Sequence, residues 1–485
     1  MNPTETLSLD DASRAALWQR LVELIEEYPN RLPAERAAPV ISPEEVRALL
    51  SPLDFATPLE PQEALNFVAR GLWGGQVHTP HPRYFGLFNP APTAMSIAAD
   101  ALAAAFNPQL ASWNHSPFAV EVEQHLVQAV GARLGFPGTD VDGVFCSGGA
   151  EANHTALLAA LVHTFPGFAR QGIRSLEGQP RFYVSSQSHH SFIKAARLCG
   201  LGSDAVRKVP VNSALRMDVG DLAEQIKLDR AAGDLPFLIA ATAGTTNAGV
   251  IDPLPRVADM ATRQGLWLHV DAAWGGAAAL VPELRPVLTG IERADSITFD
   301  AHKWLSVSMG AGMFLTRHRD ILSETFRITT EYMPPPGGED TVDPYTHSMQ
   351  WSRRFIGLKV FLSLLVAGWE GYAAAIRHQT AMGDLLRHEL QSDGWDVVNE
   401  TRLPLVCFTY QSVPPERQAA YLESIAREIV SSGAAWISTT RLDHDQPVLR
   451  ACITNYKTMP EDIHALVKAL DEARKKQETR EEGGL

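Results

Sequence analysis

Between about residue 140 and residue 316 the chain alternates short apolar runs with helix-like stretches, and this alternation constrains the fold more than any other feature. The runs GVFCSGG, RFYVSSQS, FLIAATAG, LWLHVDAAW, SITFDAHK and GAGMFLTR each end in small or polar residues. Each is too short for a buried helix and is bounded by turn-forming residues, so each reads as a strand. Segments between them, such as EANHTALLAALVHTF and SFIKAARLCG, carry helical spacing. Strand and helix in this order predict an α/β fold, a mainly parallel sheet covered on both faces with right-handed crossovers. Ligands of such sheets sit beyond the carboxyl ends of the strands. The chemistry is therefore sought in the residues that close each run.

The flanking regions differ. Residues 1 to about 85 hold two helix-like segments separated by the Pro-bearing turns NRLPAERAAPVISP and SPLDFATPLEP. The first is an amphipathic helix capped near Ser8 or Asp10. This region is too open to make a core of its own and is expected to pack on another surface, a second copy of the chain included. After the alternating region comes EYMPPPGGEDTVDP, a Pro/Gly-rich acidic stretch suited to a mobile loop, and then a long helical pattern from Trp351. The strand-like LPLVCFTY and VLRACIT with the helical MPEDIHALVKALDEARKK suggest a small C-terminal α+β lobe. The expected division is an N-terminal helical segment 1–85, a large α/β domain 86–375 and a small domain 376–485.

Several function classes are disfavoured by composition. A net charge of −14 over 485 residues argues against a general nucleic-acid binder, whose affinity rests on neutralising phosphates. Cys146, Cys199, Cys407 and Cys452 are scattered, with no CxxC or Cys/His spacing, so neither a disulfide framework nor a structural zinc site is indicated, and a cytoplasmic location is expected. The first thirty or so residues lack the basic start and apolar run of a signal peptide. No stretch reads as the roughly 18 apolar residues of a membrane span.

Four strand ends carry chemistry. CSGGAEAN at 146–153 lies at a strand-to-helix junction, where small residues let backbone N–H groups face an anion, although a tight structural turn would look the same. It lacks the GxxxxGK[ST] of a nucleotide-triphosphate loop. LWLHVDAAWGG ends a strand on Asp271, which would either cap a turn or serve as counter-ion to a protonated ring nitrogen. SSQSHHSFIKAA places His189 and His190 after another strand, where one of them would lie flat on an aromatic ligand or handle a proton. SITFDAHKWL ends on Lys303. A phosphate cup, a stacking histidine, a buried acid and a lysine form the set that pyridoxal phosphate needs for its phosphate, ring, ring nitrogen and aldehyde.

SITFDAHKWL, HVDAAWGG, CSGGAEAN, ATAGTTNAGVIDP and HHS, in this order and spacing, resemble the group II pyridoxal-phosphate-dependent amino-acid decarboxylases. The likeness extends from HPRYFGLFNP at 81–90 through WSRRFIGLKVF at 351–361 to VLRACITNYKTMPEDI. It implies the aspartate-aminotransferase type of fold, pyridoxal-phosphate transferase fold type I, and a homodimer with the active site at the subunit interface. It also implies Lys303 as the lysine that binds the cofactor, Asp271 as the pyridinium partner and His190 as the stacked histidine. His302 stands beside the phosphate, with Ser147, Gly149 and Ala150 in the phosphate turn and Thr246 and Ala273 around the ring. Arg450, Phe88 and Trp113 fall on the substrate side, and Tyr332 matches the loop tyrosine that protonates the substrate carbon after carbon dioxide leaves.

The activity implied is decarboxylation of an L-amino acid to its amine. Aromatic substrates come first, since that branch matches the spacing from Lys303 to Tyr332. Thr79, Leu87, Gln109 and Ala111 stand where the aromatic branch tends to carry aromatic residues, which keeps acidic and diamino substrates as the alternative. An aldehyde synthase or an aminotransferase of the same fold would share Lys303 and Asp271, but retention of both the histidine and the loop tyrosine favours plain decarboxylation.

Overall fold

The computed structural model describes residues 7–137, 141–328, 330, 331, 333, 338 and 341–482. Its large sheet orders seven strands as β1-β7-β6-β5-β4-β2-β3. These are β1 (Asp142–Cys146), β2 (Pro180–Ser185), β3 (Val206–Val209), β4 (Leu235–Thr242), β5 (Trp267–Asp271), β6 (Ser296–Asp300) and β7 (Gly312–Thr316). All six runs read as strands from the sequence are strands here. The sheet is parallel except for β7, which runs antiparallel to both β6 and β1. The short β6–β7 connection contains no crossover helix, so the chain can only turn back.

Period-two alternation feeds two cores. Along β4, Ile239 and Ala241 join one buried cluster, while Leu238 and Ala240 join the other. The first cluster is closed by the helices Pro117–Leu134, Leu254–Gln264 and the front half of Gly357–Ser392, the second by Gly149–Thr164 and Ser191–Leu198. β3 escaped the sequence reading because VRKV is short and half exposed at the sheet edge.

A four-stranded antiparallel sheet, β10-β11-β9-β8, forms the C-terminal lobe. It comprises β8 (Asp396–Val397), β9 (Leu405–Thr409), β10 (Ser438–Arg441) and β11 (Pro447–Cys452). Helices Pro415–Ser432 and Pro460–Glu482 cover it, with Leu422, Leu466, Val406 and Phe408 in its core. Phe85 belongs to this core, tied by its N–H to Trp436 O and by its O to Cys452 N–H. The helix Gly357–Ser392 runs through both regions, giving Val360 and Ile376 to the large core and Leu386 and Leu390 to the small one. By length and composition it would suffice to cross a bilayer, contrary to the sequence reading. It is broken at Gly368, where φ is 62°, and it packs on the helices Ala94–Phe106 and Pro117–Leu134.

The N-terminal region holds the helices Asp11–Arg31, Pro43–Leu50 and Pro61–Gly74, one more than the sequence suggested. Asp10, not Ser8, caps the first, accepting from Ser13 N–H at 2.9 Å. None of the three contributes a buried residue, and Trp18, Val22, Val68 and Leu72 are more than half exposed.

Candidate active site

Strand register assembles the site. β7 lies between β1 and β6 with its first residue at their carboxyl ends, so Cys146, Gly312 and Asp300 stand side by side. Segments some 150 residues apart in sequence, the turn after Cys146 and the lysine after Asp300, are thereby brought to one edge. Gly312 is needed for that approach: a Cβ there would lie 2.6 Å from Gly148 Cα and 2.8 Å from Asp300 Oδ1.

Lys303 Nζ lies 3.0 Å from Asp300 Oδ2, and the same oxygen accepts from Gly149 N–H at 3.0 Å. Asp300 is 2% exposed, and its Oδ1 has no hydrogen-bond partner. His302 Nδ1 accepts from Ala311 N–H at 3.1 Å, which leaves the ring proton on Nε2, 3.8 Å from Asp300 Oδ2. Burial lowers the His302 pKa, while Asp300 acts the other way. Ser147 gives both its N–H and its O–H to Glu151 Oε2, at 2.8 and 2.7 Å. Ala150 is exposed beside it. A Cβ at Gly149 would fall 3.3 Å from Ala273 Cβ and 3.4 Å from Thr298 Cγ2, so a glycine keeps the cradle open.

Asp271 ends β5 and is 5% exposed. A carboxylate so buried needs donors, and it has two: Ala273 N–H to Oδ1 at 3.1 Å and Asn153 Nδ2 to Oδ2 at 2.8 Å. Lone pairs remain for a further N–H.

The histidine pair divides its roles. His189 Nδ1 accepts from Ser191 N–H at 3.2 Å. Burial lowers the His189 pKa, with Asp271 raising it and Lys303 lowering it, so this ring lies within the field of the acid and the lysine. His190 occupies the N-cap position of the helix Ser191–Leu198, and its side chain makes no capping bond.

The wall beyond Lys303 is aromatic. Phe88 stacks on Trp274, centroids 4.6 Å apart and rings 24° from parallel. Lys303 Nζ stands 5.7 Å from the Phe88 ring centre, and the Arg450 guanidinium 5.1 Å from it. Arg450 is 2% exposed, donates through Nε to Thr246 O at 2.9 Å and through Nη1 to Gly86 O, and its buried Nη2 has no partner. Thr246 thus meets Arg450 through its carbonyl. Trp113 is tied elsewhere, by N–H to Asp343 Oδ1 at 2.8 Å and by Nε1–H to Glu121 Oε1 at 2.7 Å. Tyr332 lies outside the described residues.

Residues 43–411 match the family model described as the pyridoxal-dependent decarboxylase conserved domain. The chain belongs to the pyridoxal-dependent decarboxylases. It is 31% identical to an aromatic-L-amino-acid decarboxylase of Bacillus atrophaeus over 97% of this chain and 98% of that protein. It is equally, 31%, identical to the cysteine sulfinic acid decarboxylase of Mus musculus over 85% of this chain and 84% of that protein. The crystal structure of mouse CSAD superposes with a TM-score of 0.89 at 27% identity, covering 95% of this chain and 99% of that one.

The decarboxylase cofactor is pyridoxal phosphate, and the residues on the strand edge fit it. A lysine amine adjoins a glycine cradle whose backbone N–H now meets a carboxylate, and a buried acid keeps acceptor capacity. Asp300, Asn153, Glu151 and Trp274 were not singled out from the sequence. Asp300 directly precedes AHK and ends a buried strand, and Asn153 lies one helical turn beyond Gly149; those positions were the available signals.

Proposed function

We propose that this decarboxylase converts an L-amino acid with an aromatic side chain to its amine. The observation that carries the substrate class is Phe88, stacked on Trp274, with Lys303 Nζ 5.7 Å and the Arg450 guanidinium 5.1 Å from its ring centre. The ring covers the guanidinium that an acidic side chain would need and presents an apolar face beside the lysine. The relative of 31% identity along nearly the whole chain, an aromatic-L-amino-acid decarboxylase, supports the same reading.

When bound, pyridoxal phosphate supplies the electron sink for the pair left on the substrate carbon as carbon dioxide departs. Lys303 would hold its aldehyde carbon and later release it to the substrate amine. Asp271 would keep the ring nitrogen protonated. Gly149, Ala150, Ser147 and His302 would hold the phosphate, with Ala273 and Thr246 beside the ring. We assign the stacked position to His189 in place of His190, because the charges of Asp271 and Lys303 act on His189. Tyr332 is retained as the acid that returns a proton to the substrate carbon, and Trp113 as a residue of the outer pocket.

The exposed apolar residues of the N-terminal helices, Trp18, Val22, Val68 and Leu72, support a homodimer in which residues 1–85 cover the partner, leaving 86–375 and 376–485 as the large and small domains. Four free cysteines, three of them buried, suit the reducing cytoplasm. A second reading, an acidic substrate, is favoured by the unpartnered Arg450 Nη2 and by the cysteine sulfinic acid decarboxylase relative.

Carbon dioxide release by the cofactor-loaded protein, measured across aromatic, acidic and diamino L-amino acids with oxygen uptake followed together, tests the proposal. Amine from an aromatic substrate without oxygen uptake is expected. Release only from acidic substrates would transfer the assignment to the second reading, and oxygen uptake with aldehyde product would remove plain decarboxylation.

A further inference from the structure

Beneath Asp271 lies a chain of buried polar side chains that the reaction itself does not use. Trp267 Nε1–H donates to Ser296 Oγ at 2.9 Å, and Ser296 Oγ is 2.8 Å from His269 Nδ1. His269 Nε2 is 3.0 Å from Asn153 Oδ1, which also accepts from the Thr298 hydroxyl at 2.7 Å. Asn153 Nδ2 then donates to Asp271 Oδ2 at 2.8 Å and to Ser191 Oγ at 3.0 Å. Asn153, His269, Ser296 and Thr298 are each no more than 1% exposed.

The direction of this chain follows from its carboxylate end. A carboxylate can only accept, so the Asn153 NH2 faces Asp271 and its oxygen faces His269 and Thr298. An indole N–H can only donate, so Ser296 Oγ accepts from Trp267 and keeps its own proton and a second lone pair for His269 Nδ1. His269 is held neutral, burial pushing its pKa down to about 4, and because Asn153 gives its NH2 to Asp271 and turns its oxygen, a pure acceptor, to the imidazole, the one ring proton sits on Nε2. Strand register explains why the parts meet: His269 pairs with Ser296 and Asp271 with Thr298 across β5 and β6, all on the side where the helix Gly149–Thr164 brings Asn153.

We propose that Asn153 is the positioning residue of this enzyme's electron sink: locked by His269 and Thr298, it holds Asp271 as an oriented carboxylate aimed at the cofactor's ring nitrogen. The proposal rests on the assignment of Asp271 made above. Asn153 meets the ring nitrogen through Asp271 and reaches the histidine pair through Ser191, whose N–H bonds His189, while it bonds neither Lys303 nor the cradle. A donor to a buried carboxylate is a charge-assisted bond, so its removal allows Asp271 to rotate away from the ring nitrogen.

The test compares the affinity of the cofactor-free protein for pyridoxal phosphate and for 1-deazapyridoxal phosphate, in which C–H replaces the ring nitrogen. The wild-type protein is expected to prefer the natural cofactor by roughly tenfold or more, as a charge-assisted bond would give. Asn153→Ala should shrink that preference several-fold, toward equal affinity. Thr298→Val removes one of the two donors that lock Asn153 while conserving volume, and should shrink the preference in part; Thr298→Ser, which keeps the hydroxyl, should restore it. This pair carries the test if Asn153→Ala does not fold. Loss of affinity for both cofactors in equal proportion would make Asn153 a packing residue only and overturn the proposal. A wild-type protein that binds both cofactors equally would overturn it through Asp271 itself, and a protein that binds neither would overturn the cofactor assignment beneath both.

Discussion

Phe88 separates the two substrate readings, and shortening it should move the enzyme between them. Its ring lies 5.1 Å from the Arg450 guanidinium, whose Nη2 is buried without a partner. Phe88→Ala would remove the ring that lies against this guanidinium and beside Lys303. A hydrogen bond between a guanidinium and a carboxylate side chain contributes about 1.5–3 kcal/mol, or roughly 10- to 150-fold in kcat/KM. At the same time an aromatic substrate loses its stacking partner, about 0.5–1.5 kcal/mol. The ratio of kcat/KM for L-glutamate to that for L-tryptophan should therefore rise by about two orders of magnitude, through changes of opposite sign in numerator and denominator. Emptying a buried site against Trp274 costs about 3–5 kcal/mol of stability, so Phe88→Leu, which leaves a smaller cavity, serves as the second variant with a smaller shift in the same direction. The assay is carbon dioxide release by cofactor-loaded protein at matched cofactor occupancy. A ratio that stays within about threefold of wild type, with cofactor bound, would refute the reasoning and leave Arg450 as a clamp on Gly86 and Thr246.

Lys303→Ala should bind cofactor without the visible absorbance of its lysine-bound form, and should release no carbon dioxide; a variant that keeps that absorbance would remove the lysine from its role. The buried pair Arg353–Glu123 ties the segment that follows the acidic loop to the helix Pro117–Leu134, Glu123 also accepting from Gly357 N–H at 2.9 Å. Glu123→Leu and Arg353→Leu should each lower stability by about 3–5 kcal/mol in urea unfolding, and the double variant by less than either; additive losses would contradict the pairing. The His269 pKa is about 4 when folded, against about 6.5 when unfolded. A depressed folded value means that the contribution to stability is present above about pH 6.5 and is lost as pH falls toward 4. His269→Gln should accordingly show less loss of stability between pH 7 and pH 5 than wild type, by on the order of 2 kcal/mol; parallel pH profiles would show that the histidine is not held neutral.

Six of the seven strands of the alternating region were legible because each of the six was marked twice, by an apolar run and by the small residues that stop it. Lys303, Asp271 and the 146–150 turn were legible for the same reason: each directly follows such a run, so the rule that ligands gather at strand ends could be applied residue by residue. β3 and β10 were not, since edge strands with half-exposed residues carry no such run. The choice between His189 and His190 was also beyond the sequence, because adjacent residues at a helix start point in different directions.

The sequence by itself determined the layered α/β plan, the family and the chemical types at the strand ends, because these depend on local periodicity and on residue identity. The tertiary structure alone decided which groups touch. Cys146, Gly312 and Asp300 become neighbours only through the antiparallel insertion of β7. Asn153 reaches Asp271, and Phe88 covers Arg450, across 118 and 362 positions of chain. A hydrogen bond or a stacked ring needs alignment within an ångström or so, and register and packing across the whole sheet supply that alignment, which no local pattern encodes.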